Sequence, residues 1–107
     1  MSQLGRFIAA VTFAAGAIST AQAQDFGEPV KGLALAKQVC SVCHAIDKQS
    51  ATSPNPAAPR FEAVANVPGI TVLALTVALQ TPHRAMPNLV LDADEIRNVA
   101  AYIISLK

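Results

Sequence analysis

The chain has 107 residues, of which 14% are charged, with eight Lys and Arg against seven Asp and Glu. That length leaves room for one domain. The near-balanced charge excludes both the basic patch that nucleic-acid binding requires and long-range steering by a strong net field.

Arg6 precedes an uncharged, mostly apolar run from Phe7 to Ile18, and Ala21-Gln22-Ala23 forms a small-residue, A-x-A-like site. These charged, apolar and cleavage regions predict a secretory signal peptide over residues 1–23, leaving a mature chain, residues 24–107, that begins at Gln24. The run is shorter than the ~20 residues that span a bilayer, so the mature protein is expected to have no membrane span and to be exported to the periplasm. A retained anchor or a buried helix is the competing reading. Removing Arg6 with the leader brings the remaining charges into balance.

A first helix is predicted from Pro29, a residue favoured at the first helical position. Leu33, Ala36, Cys40 and Cys43/His44 follow at intervals of three and four, with Leu35, Val39 and Val42 as a second apolar strip. At its C-terminal end Cys40-Ser41-Val42-Cys43-His44 spells C-x-x-C-H, the pattern of covalent c-type haem attachment. Two thiols must add to the vinyl groups on one porphyrin edge while an imidazole reaches the iron. Helical spacing puts all three side chains on one face. A zinc site is a poor alternative, since the chain has two cysteines and two histidines in all and His44 lies too close to Cys43 for finger spacing. A Cys40–Cys43 disulfide would close too short a loop to add much stability, and a thioredoxin-like motif would need a βαβ setting. A bound haem would also supply part of the core that so small a domain lacks.

Residues 47–59 read as a loop rich in Ser, Asn and Pro, followed by a short helix around Phe61 to Ala65 and a turn at Pro68-Gly69. The run Ile70 to Gln80 is ambiguous. Leu73, Leu75, Val77 and Leu79 alternate like a strand, whereas Val72, Leu75, Thr76 and Leu79 fit a helix. With no second strand to pair, helix is the choice, capped by Thr71 and stopped before Pro82. The last helix opens on Asp92-Ala93-Asp94-Glu95, a capping-box pattern. It continues through Ile96, Val99, Ala100, Ile103 and Leu106 and is expected to pack on the first helix.

Between these last two helices lies Thr81-Pro82-His83-Arg84-Ala85-Met86-Pro87-Asn88. Met86 is the only methionine left after leader removal, and it sits in a proline-flanked loop rather than on an apolar helical face. A thioether near a predicted haem suggests the sixth iron ligand, and His/Met ligation raises the reduction potential as an electron carrier needs. His83 competes for that place but reads as a solvent-facing loop residue.

Together these residues resemble the small bacterial class I c-type cytochromes, and the resemblance covers essentially the whole mature sequence. It implies an all-α fold of three to four helices around one covalently bound haem c. It implies attachment through Cys40 and Cys43 and iron ligation by His44 and Met86. Gly32 stands where the family has a glycine that lets the first and last helices cross closely, and Tyr102 where the last helix often carries an aromatic residue. Pro59 resembles the proline whose carbonyl accepts the Nδ1–H bond of the proximal histidine, here His44. Ala36 and Ala58 depart from the family pattern, which often has an aromatic and a glycine there. The function implied is that of a monomeric electron carrier, not an enzyme, docking transiently with redox proteins. A subunit relaying electrons to a fixed dehydrogenase or oxidase is an alternative, as is a ligand-binding haem protein with an open distal site.

Overall fold

The computed structural model describes residues 26–81 and 86–107. The leader with its cleavage site, and His83, therefore lie outside the described residues. Four α-helices and one π-helical turn follow in chain order, and no strand occurs among the described residues.

Helix α1 spans Pro29–Leu35, with Pro29 in the first turn. It does not run unbroken into the C-x-x-C-H motif as its periodicity predicts. The α register stops at Leu35 and a π turn, Ala36–Cys40, takes over. The Cys43 and His44 amides then both donate to the Cys40 carbonyl, at 3.1 and 2.9 Å. Val42 does not join the buried strip, being 73% exposed in the turn that follows.

The following loop returns to the motif through specific bonds. The Asn55 amide donates to the Cys43 carbonyl (3.1 Å) and the Phe61 amide to the Ala45 carbonyl (2.9 Å). The Ala45 amide donates to Ser53 Oγ (3.0 Å), and Arg60 Nε to the Ser50 carbonyl (2.8 Å). Hydrogen bonds from Ser50 hold the Asp47 carboxyl below its ordinary pKa. The short α2, Phe61–Ala65, then buries Phe61 and Ala65. A Val67-Pro68-Gly69-Ile70 turn closes with the Ile70 amide on the Val67 carbonyl, and Gly69 adopts φ 76°, the type II arrangement that calls for glycine.

Helix α3, Val72–Gln80, resolves the ambiguous run in favour of helix, with Thr71 Oγ1 accepting from the Ala74 amide at 3.0 Å. Leu75 is buried, whereas Leu73 and Val77, two of the alternating set, are 73% and 55% exposed. Thr81, the residue before Pro82, is extended (ψ 132°) and ends the helix. Helix α4, Ala93–Ile104, carries the complete capping box of Asp92 and Glu95 and buries Ile96, Val99, Ala100, Ala101, Tyr102 and Ile103.

Helices α1 and α4 cross backbone to backbone at Gly32. A Cβ placed there would lie 1.9 Å from the Asn98 carbonyl oxygen. The Glu28 amide donates to Asn98 Oδ1 at 2.7 Å, which ties the start of α1 to the same turn of α4. Ala36, one turn on, is fully buried.

The Tyr102 hydroxyl donates to the Ile46 carbonyl at 2.6 Å. Burial, with the negative charge of Asp47 added, raises the phenol pKa above its ordinary value. Because the folded pKa is the higher one, this contribution to stability is intact below the unfolded value near ~10 and is lost as pH rises above it. Tyr102→Phe is expected to lower stability by about 1–2 kcal/mol at neutral pH by leaving the Ile46 carbonyl without its donor. The variant should also show a shallower loss of stability on the alkaline side, as thermal melts at neutral and alkaline pH would record.

A candidate haem crevice

The motif residues line one apolar cavity of about 440 Å³, within the range of small-molecule and cofactor sites. Cys40, Cys43 and His44 reach it from the end of the π turn, and Pro59 and Phe61 from the returning loop and α2. Leu75 and Leu79 contribute from α3, Met86 and Leu89 from the segment before α4, and Ile103 from α4 itself. Cys40 is buried and Cys43 half-buried. Burial raises the Cys40 thiol pKa above its ordinary value.

His44 Nδ1 lies 2.7 Å from the Pro59 carbonyl oxygen. A carbonyl can only accept, so Nδ1 carries the proton and Nε2 keeps its lone pair. The Phe61 ring packs on the same imidazole, with centroids 5.3 Å apart and planes tilted 46°. Tyr102 lies beyond Phe61 at 6.4 Å. The imidazole is thus held at one nitrogen and against one face, with the other nitrogen available to a ligand.

The residues fit a haem. A large apolar cavity bears two thiols at one edge, an imidazole with its tautomer fixed and a thioether, a donor set suited to haem iron. A bare metal ion does not fit as well. Among the described residues, no group of three or more His, Cys, Asp or Glu side chains converges on one point.

Sequence reasoning missed Phe61 as a neighbour of His44, and the wall formed by Leu75, Leu79 and Ile103. The proximity of Phe61 to Pro59 was the only available signal. The walls come from helices distant in sequence, whose apolar faces look like ordinary core.

A scaffold that is all-α among the described residues, with a C-x-x-C-H motif opening into an apolar crevice, defines a small monohaem protein of the c type. The chain belongs to the cytochrome c family, whose profile it matches over residues 29–107. It is similar to cytochrome c-552 of Bradyrhizobium diazoefficiens, at 35% identity over 102 residues that cover 95% of this chain and 94% of that one. No solved structure matches the chain. Membership implies covalently attached haem c, for which Cys40 and Cys43 are the motif cysteines, and a role in haem-based electron transfer with protein redox partners. No helix among the described residues is long and apolar enough to cross a membrane.

Attachment has a direct consequence. Acidified organic solvent should leave the haem on the wild-type protein and on variants with one of the two cysteines replaced by Ala. It should extract the haem when both Cys40 and Cys43 are replaced. Haem recovered from the wild type in the organic phase would exclude covalent attachment.

Proposed function

We propose that the protein is an exported, periplasmic, monomeric carrier of single electrons, with its haem iron held by His44 and Met86. It docks briefly with separate donor and acceptor proteins and catalyses no reaction of its own. The observation that carries this reading is the presence of His44 and Met86 in the lining of one apolar cavity, the former with Nδ1 engaged by Pro59. Haem c, when bound, supplies an iron that changes oxidation state by one electron.

The chain's residues do the rest. Pro59 fixes the proton on Nδ1 and keeps Nε2 free to ligate. A thioether is neutral and soft, and its ligation raises the reduction potential relative to a second imidazole. Phe61, Leu75, Leu79 and Ile103 exclude water, which disfavours the more highly charged oxidised state. With His44 and Met86 both holding the iron, no coordination site would be left for a substrate. The balanced charge after leader removal suits a small and weak contact face, as transient redox encounters use.

The oxidised protein should show the weak far-red absorption band of sulfur-to-iron ligation, sediment as a monomer and begin at Gln24. Absence of the band would reject Met86 ligation. Co-purification with a dehydrogenase or oxidase at physiological salt would replace the diffusing carrier by a fixed relay.

A further inference from the structure

Two linked bonds from one residue, Ser41, close the π turn ahead of the motif. The Ser41 amide donates to the Ala36 carbonyl at 2.9 Å, five residues back. In an α-helix that amide would serve Lys37. The Lys37 carbonyl is instead taken by the Ser41 hydroxyl, at 2.7 Å. A serine hydroxyl bonding the carbonyl four residues back is a known local competitor of the helical amide bond. Here it satisfies the acceptor that the change of register orphans, so the π register leaves neither group unpaired.

The register matters for where Cys40 points. From Ala36 to Cys40 an α-helix sweeps slightly more than one rotation, and the wider π turn slightly less. Ala36 is fully buried and does not line the cavity, whereas Val39, Cys40 and Cys43 do. The extra residue in the turn therefore moves Cys40 off the helix-crossing face and towards the crevice.

We propose that Ser41 is a positioning residue whose hydroxyl holds the π register and so aims Cys40 at the haem edge. This rests on the haem reading of the crevice, and its first test does not depend on how the iron is ligated. Coupling across the hydrogen bond, measured by NMR on the reduced holoprotein, identifies the carbonyl that each amide uses.

In the wild type, the residue 41 amide should couple to the carbonyl carbon of Ala36. In Ser41→Ala that coupling should be lost and replaced by one to Lys37, and in Ser41→Thr, which keeps a hydroxyl, the Ala36 coupling should return. The haem methyl resonances of the oxidised protein should shift in the Ala variant and recover in the Thr variant. Retention of the Ala36 coupling in Ser41→Ala would overturn control of the register by the hydroxyl. A changed register with unmoved methyl resonances would overturn its role in aiming the cysteine. Loss of the far-red band in the wild type, by contrast, would count against Met86 and leave the register test standing.

Discussion

Met86→Ala is expected to open the iron to added cyanide or carbon monoxide and to lower the reduction potential. The physical reason is a competition for one coordination position. While the thioether occupies it, an external ligand must displace that side chain. Once the sulfur is removed, the cavity lining offers no imidazole or sulfur beyond His44 and the two motif cysteines: its other side chains are mainly aliphatic, with the Phe61 ring and Asn55. The drop should be on the order of 0.1–0.2 V, a modest share of the ~0.8 V range that axial ligation spans.

Met86→His should restore six-coordination while keeping the potential low, because imidazole favours oxidised iron more than thioether does. Titration of ligand binding alongside potentiometry separates the two variants. His83→Ala should do neither, and if it alone opened the site, the assignment of Met86 would fail and a bis-histidine protein would take its place.

Gly32→Ala should be among the most damaging of the conservative changes to the scaffold. The added methyl would meet the Asn98 carbonyl oxygen at 1.9 Å, its carbon at 2.5 Å and Tyr102 Cβ at 2.8 Å. The first two are backbone atoms of α4, so no side-chain rotation relieves the clash and the helices must part. Overpacking of this kind costs about 3 kcal/mol, which for a domain of this size lowers the melting temperature by roughly 10–20 °C. Gly69→Ala is the control. Nothing lies within 4 Å of its Cβ position, so only the positive φ is strained, at a cost of about 1 kcal/mol. Thermal denaturation of both variants should rank them clearly, and equal losses would mean that the crossing is looser than its geometry.

The sequence makes the helix ends legible wherever a single residue type signals them. Pro29 starts α1 through its fixed φ, while Thr71 caps α3 and Asp92 with Glu95 begins α4 through local bonds between residues a few positions apart. The choice of helix for Ile70 to Gln80 rested on the lack of a partner strand, and the exposure of Leu73 and Val77 gives it a physical basis. The π turn was not legible, since three- and four-residue apolar spacings tolerate either register over so short a stretch. The Tyr102–Ile46 bond spans 56 positions, and no local pattern encodes it. The packing of Phe61 on His44 is likewise a product of the loop's return path. For the site, the motif supplied the chemistry and the fold supplied its surroundings.

The crossing of α1 and α4 also bears on how the chain can be assembled. Glu28 and Asn98, bonded across it, are 70 positions apart. Bringing such distant segments together costs about 4 kcal/mol of chain entropy before any contact repays it. Most helical domains avoid this by pairing sequence neighbours and fold quickly as a result. Here the first helix packs chiefly on α4, so the domain cannot mature vectorially from its first helix. That helix must wait for α4 before it can dock.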